Sequence, residues 1–264
     1  MKMPNLFILG AQKAGTTYLA QVLSTHPDIF FSVPKETMFF SRKLDRSQED
    51  FEAYCKQFFD PAGDEIWRGE GSTTYLQWPD ALGRMRQFLK GRPKFIVCLR
   101  QPTAKAISFY IHNWRRDRYA AELDLQAVVD MGVELSPFRT SLYADALERW
   151  LDAFPAEDFL FLKFDDLVEN PHEFVSKATR FLGLPEVKNV SKAAVNAGLP
   201  LIWEGGALTI RDSAAGGKDR PRFEPEMLQS LHDLFVPDLE RTAALTGLDL
   251  SAWHVMPALA PVST

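Results

Sequence analysis

Ile8-Leu9-Gly10-Ala11-Gln12-Lys13-Ala14-Gly15-Thr16-Thr17 is the stretch on which the fold turns. Gly10 and Gly15 have the spacing of a phosphate-binding loop. In the nucleotide-hydrolysing form of that loop, G-x-x-x-x-G-K-[ST], a lysine follows the second glycine. Here Thr16 stands in that place, and the lysine, Lys13, lies inside the loop. An apolar run (Leu6 to Leu9) leads in and a helix-forming run (Thr17 to Leu23) leads out. Strand, glycine turn and helix in that order aim backbone N–H groups and a helix N-terminus at an anion. The displaced lysine points to an anion other than the β,γ-phosphate pair of ATP. Taken alone, Lys13 is a solvated lysine in a turn. The hydroxyls of Thr16 and Thr17 and the order of the flanking elements favour the anion.

Outward from this loop the pattern alternates. Strands are expected at Asn5–Leu9, Ile29–Val33, Ile66–Glu70, Lys94–Leu99 and Phe159–Phe164. Helices are expected at Thr16–Ser24, Asp50–Phe59, Pro79–Leu89, Pro102 to about Arg118, Leu142–Phe154, Pro171–Leu182 and Glu224–Thr246. Pro102 suits a first helical turn, and Gly91 and Gly183 read as stops. Alternating units of this kind predict an α/β fold: one P-loop-like domain over residues 1–264, with a central, mostly parallel sheet flanked by helices on both faces. The stretch Lys188–Phe223, with Gly205, Gly206, Gly216 and Gly217, shows neither period and reads as a long loop.

Composition narrows the class. The 264 residues are 46% hydrophobic and 25% charged, as in an ordinary soluble domain. A net charge of −5 argues against a nucleic-acid partner. Cys55 and Cys98 form neither a disulfide framework nor a metal site, and no metal-ligand cluster is legible. No run of about 18 apolar residues predicts a membrane span. With no signal-peptide pattern either, the expected location is the cytoplasm.

A second anion site is expected at the end of the clearest strand. Leu99-Arg100-Gln101-Pro102 closes it, and Ser108 lies two helical turns on. Ligands bind beyond the carboxyl ends of parallel strands, and arginine suits bidentate phosphate recognition. The plain alternatives are a surface salt bridge for Arg100 and a helix-surface serine for Ser108. The first loop tips the reading towards phosphate.

These residues resemble the sulfotransferases that use 3′-phosphoadenosine 5′-phosphosulfate (PAPS). Gln12-Lys13-Ala14-Gly15-Thr16-Thr17-Tyr18-Leu19 is similar to their 5′-phosphosulfate loop, and Leu99 through Ser108 to their 3′-phosphate site. Pro34-Lys35-Glu36 with Phe39-Phe40 resembles an element of the heparan-sulfate N- and 3-O-sulfotransferase branch. So do Tyr143-x-x-x-Leu147-x-x-Trp150, Phe164-Asp165-Asp166-Leu167 and Gly217-Lys218-Asp219-Arg220.

The resemblance implies roles. The loop Gln12–Thr17 would bind the 5′-phosphosulfate, with Lys13 in contact. Arg100 and Ser108 would hold the 3′-phosphate, with Gly217, Lys218 and Arg220 closing over the nucleotide. Glu36 would be the base. His112, one turn after Ser108, would assist at the acceptor or line the cleft. PAPS would donate and PAP would leave, with no metal required. The acceptor would be a hydroxyl, or less favourably an amine, of a carbohydrate or small molecule. By residue type alone, Glu36 is a helix first-turn glutamate, Lys35 contacts substrate or is solvated, and His26 ends a helix. Trp114, Arg115, Arg116, Arg118 and Tyr119 are acceptor contacts or a solvated helix end; Trp203, Phe39 and Phe40 line a pocket or pack a core. One departure stands out: Gly71, in Glu70-Gly71-Ser72-Thr73, occupies a position where the branch often carries lysine. The alternatives are a P-loop nucleotide or small-molecule kinase, or a nucleotide-binding relative without turnover.

Overall fold

The structure, a computed structural model, describes residues 1–42, 45–119, 137–190 and 201–259. They form two compact units, residues 1–100 with 146–196, and residues 101–145 with 197–264.

The first unit carries a parallel five-stranded sheet. Its strands are β1 (Leu6–Gly10), β2 (Ile29–Phe31), β3 (Trp67–Glu70), β4 (Lys94–Leu99) and β5 (Phe159–Lys163), in the order β2-β3-β1-β4-β5. β1 lies at the centre, and all of its residues are buried, as expected of a strand covered on both sides. Register places Phe7 beside Phe95 and Phe95 beside Phe159. Their rings stack at 5.9 and 5.0 Å, worth about 0.5–1.5 kcal/mol per pair beyond burial.

The unit's helices are α1 (Thr16–Leu23), α2 (Phe39–Arg42), α3 (Gln48–Phe59) and α4 (Pro79–Phe88), then most of α6 (Ala144–Ala153), with α7 (Phe164–Glu169) and α8 (Pro171–Phe181). The chain leaves β1 towards β2, but leaves β3 towards β4 and β4 towards β5, in the opposite direction across the sheet. Right-handed crossovers therefore put α1 and α4 on opposite faces. α1 packs with α8, and α2 with α4, so both faces are covered. The same reversal makes the carboxyl ends of β1 and β4 the switch point where an α/β sheet binds its ligand.

The second unit holds α5 (Pro102–Trp114), α9 (Pro225–Thr246) and an antiparallel sheet of β6 (Leu201–Glu204), β7 (Ala207–Ile210) and β8 (Arg222–Phe223). α5 and α9 pack on a core with Tyr110, Leu208, Phe223 and Phe235. Asp238 accepts from the backbone N–H of Tyr143 and of Ala144 at 2.7 and 3.1 Å, so a side chain on α9 caps the start of α6.

This second sheet corrects the reading of Lys188–Phe223 as a loop. Gly205-Gly206, both at positive φ, turn a two-residue hairpin between β6 and β7. The strands are too short for their alternation to register; residues 191–200 lie outside the described residues. Three smaller corrections share a local cause. α5 stops at Trp114 rather than Arg118, and Asp117 takes a φ of 55° just beyond it. Phe164 opens α7 instead of ending β5. α3 starts two residues early because Ser47 and Asp50 form a capping box.

Candidate active site

Four loops of the first unit leave the carboxyl ends of β1, β2, β3 and β4, which are neighbours in the sheet. The β1 loop turns on two left-handed residues, Lys13 at φ 64° and Gly15 at φ 85°. Gly15 is the N-cap of α1, and no side chain caps that helix. Its first N–H groups are thus presented by Thr16 and Thr17, with the positive end of the helix dipole behind them. A Cβ on Gly15 would sit 2.5 Å from Leu167 Cδ2 and 3.3 Å from Phe164 Cδ2. The Phe164-Asp165-Asp166-Leu167 landmark is therefore the wall against which the loop is pressed.

Arg100 follows β4 and props the same loop. Its Nη1 donates to the Lys13 carbonyl at 3.1 Å, and its guanidinium lies over the Phe164 ring at 4.5 Å. These contacts fix the guanidinium, a group suited to phosphate recognition, against the loop. Gln12 contributes a buried Oε1 with no hydrogen-bond partner among the described residues, a polar atom for a ligand to meet. The loop thus fits a phosphosulfate: backbone donors, an uncapped helix start and two cations.

Glu36 stands on the β2 loop, outside any helix, so the first-turn reading does not hold. Its Oε1 accepts from Lys35 Nζ and from Thr73 Oγ1, each at 3.3 Å. Lys35 Nζ also reaches Thr16 Oγ1 at 3.3 Å, which ties the carboxylate to the anion loop. Lys35 is mostly buried, so desolvation lowers its pKa and the neighbouring Glu36 partly restores it. The β3 loop completes the group: Leu76 N–H donates to the Leu9 carbonyl at 3.1 Å.

Behind Glu36 lies a network that sequence reasoning missed. Glu70 is fully buried at the end of β3. Its carboxylate accepts from Thr37 Oγ1 at 2.9 Å, from Tyr54 OH at 3.4 Å, and from Ser72 Oγ. Ser72 Oγ in turn accepts from Met38 N–H at 2.9 Å. The residues that flank Glu36 are thus pinned to β3. The one trace of this network in the sequence is an acidic residue at a strand end just before Ser72-Thr73-Thr74, which does not reveal its partners. Burial pushes the Glu70 carboxyl up to about 7, against the pull of its hydroxyl donors. A raised carboxyl pKa favours the folded state at low pH. That contribution is complete below the ordinary value of 4.5 and is lost as pH rises through about 7. The melting temperature of Glu70→Gln should therefore gain on wild type across this window. A constant gap between the two proteins at every pH would contradict the assignment.

The remaining expected residues belong to the second unit. Ser108 and His112, with Ala104, form the one partly exposed stripe of α5, so the shared-face expectation holds. Arg116 Nη1 lies against His112 Nε2, one turn on. The Gly217–Arg220 loop docks on the end of α5: Trp114 Nε1 donates to the Asp219 carbonyl at 3.1 Å, and Lys218 pairs with Asp117. Arg220 pairs with Glu204 at 2.7 Å and donates to the Ile210 carbonyl at 3.2 Å. Phe39 and Phe40 are core, as the packing reading has it; Trp114 is buried too, which corrects its placement on a solvated helix end, whereas Arg115, Arg116 and Arg118 are exposed. Among the described residues no His, Cys, Asp and Glu group has metal-site geometry, and no helix is long and apolar enough to cross a membrane.

Comparisons with known proteins converge on one family. The sulfotransferase domain family model matches residues 3–243. The chain is 27% identical over 256 residues to heparan sulfate glucosamine 3-O-sulfotransferase 6 of Homo sapiens, covering 94% of this chain and 73% of that protein. It is 25% identical over 262 residues to the 3-O-sulfotransferase 5 of Mus musculus, covering 95% and 74%. Among solved structures, a sulfotransferase from Alicyclobacillus acidocaldarius superposes with a TM-score of 0.73 at 27% identity, covering 97% of this chain and all of that one.

Proposed function

The chain belongs to the sulfotransferase domain family and transfers a sulfuryl group from PAPS to an acceptor, and we propose that the acceptor is a carbohydrate hydroxyl, with Glu36 as the base. The kinase alternative is not favoured by that membership. The observation that carries the proposal is the chain of contacts from Thr16 through Lys35 to Glu36. It puts a carboxylate within one lysine side chain of the anion seat. The carbohydrate is supported by the relatives, whose names place them on heparan sulfate glucosamine.

On this reading the backbone N–H groups at Thr16 and Thr17, with Lys13, hold the phosphosulfate end of the donor. They stabilise the negative charge that grows where the phosphate departs. Arg100 steadies the loop and brings to it a guanidinium, the group suited to a phosphate. Glu36 takes the proton of the acceptor hydroxyl. Sulfuryl transfer, like phosphoryl transfer, needs little beyond positioning and charge stabilisation. For Ser108, His112, Gly217, Lys218 and Arg220 the support is the sequence resemblance. Lys218 and Arg220 already hold acidic partners, Asp117 and Glu204, which a nucleotide phosphate would have to displace.

Calorimetric titration with PAP, and with ATP with and without Mg2+, tests the reading. Metal-independent PAP binding, tighter than ATP by at least about tenfold, is the expected result. Preference for Mg-ATP would overturn it. Transfer from PAPS to glucosamine-containing oligosaccharides, against simple phenols and amines, then tests the acceptor.

A further inference from the structure

Gly71 and Lys35 lie side by side: the Gly71 N–H donates to the Lys35 carbonyl at 3.0 Å. The lysine side chain then runs across the face of the glycine. A Cβ built on Gly71 would lie 2.6 Å from Lys35 Cε, 3.2 Å from Cγ and 3.4 Å from Nζ. Gly71 is not among the glycines at positive φ, so its backbone would accept any residue. Its bare Cα leaves a channel for the Lys35 stem.

Through that channel the ammonium arrives between two groups of the site. It is 3.3 Å from Thr16 Oγ1, on the first residue of α1, and 3.3 Å from Glu36 Oε1. Its side chain keeps only 17% of its exposure. Holding a cation out of water is costly unless charge or dipoles compensate. Here an anion at the start of α1 would supply that compensation beyond what Glu36 offers.

We propose that Lys35 is a catalytic residue that contacts the 5′-phosphosulfate end of the donor, and that Gly71 is needed as the channel for its side chain; this rests on the sulfotransferase reading above. In the transfer, Glu36 takes the acceptor proton as the acceptor oxygen bonds to sulfur. The bond from sulfur to the 5′-phosphate breaks and leaves its electron pair on the phosphate oxygen. Lys35 stays protonated and faces that oxygen as its charge grows. One ammonium thus joins the base to the leaving group.

The test uses Lys35→Met, which keeps the buried stem and removes the charge, together with Gly71→Ala and the double variant. Binding of PAP and of adenosine 3′-monophosphate is measured by calorimetry, and PAP release from PAPS with water as acceptor gives turnover. Lys35→Met should weaken PAP about tenfold or more, leave adenosine 3′-monophosphate within about threefold, and slow turnover about 100-fold. Gly71→Ala should cost turnover by pushing Lys35 aside, yet add nothing in the Lys35→Met background. Equal losses for both nucleotides, or turnover of Lys35→Met within about threefold of wild type, would overturn the role of Lys35. A Gly71→Ala loss that persists undiminished in the double variant, or no loss at all, would overturn the channel. Failure of the wild-type protein to bind PAP would instead sink the sulfotransferase reading, and this inference with it.

Discussion

Glu36→Gln should abolish most PAPS-dependent transfer, by about 10²–10⁴-fold, while PAP binding stays within about threefold of wild type. The expectation follows from where the carboxylate sits. Glu36 lies on the loop after β2, away from any helix start, so no dipole or capping role explains it. Lys35 and Thr73 both donate to Oε1. They hold it in place and leave Oε2 available for an acceptor hydroxyl. Glutamine keeps the size and one acceptor atom but cannot take the proton. Steady-state PAP release and a calorimetric titration on the same preparation separate the two effects. Retention of more than a tenth of the wild-type rate would remove Glu36 from the role of base. Loss of PAP affinity in parallel with rate would make it a structural residue of the loop.

Gly15→Ala should destabilise the protein by roughly 2–4 kcal/mol and abolish PAP binding. Two costs add. A non-glycine residue in the left-handed region costs about 1 kcal/mol or more. The new methyl would meet Leu167 Cδ2 at 2.5 Å, in a packed wall shared with Phe164, and such overpacking costs about 1–3 kcal/mol. Relief of the clash moves the loop away from α7, along with the N–H groups that define the anion seat. Gly183→Ala is the control. Its φ is 70°, and a Cβ there meets nothing within 4 Å, so only the conformational cost of about 1 kcal/mol remains. Urea denaturation of the two variants measures the difference. Equal destabilisation would show that the Leu167 wall yields freely, and the loop's dependence on it would be wrong.

The parallel sheet was legible because its central strands, β1 and β4, are buried on both faces and carry continuous apolar runs. Lys94–Leu99 matches β4 to the residue for that reason. The hairpin of β6 and β7 was not legible. Four-residue strands give too little alternation, and the Gly205-Gly206 turn signal was absorbed into a glycine-rich stretch. In the site, the β1 loop and Arg100 could be found by spacing, since chain order alone places them at strand ends. Glu70 could not, because its partners Thr37, Tyr54 and Ser72 come from three separate segments.

By itself the sequence determined that strands and helices alternate around a parallel sheet, and that Gly10 to Thr17 is a glycine turn between a strand and a helix. Those properties are local: periodicity, turn chemistry and helix starts act over a few residues. Only the tertiary structure decided which side chains meet there. It presses Gly15 against Leu167, sets Arg100 on Phe164, and lays Lys35 across Gly71 to reach both Thr16 and Glu36. Such contacts depend on strand order and on the bulk of residues distant in the chain. A glycine at position 71 carries meaning only once the lysine packed on it is known.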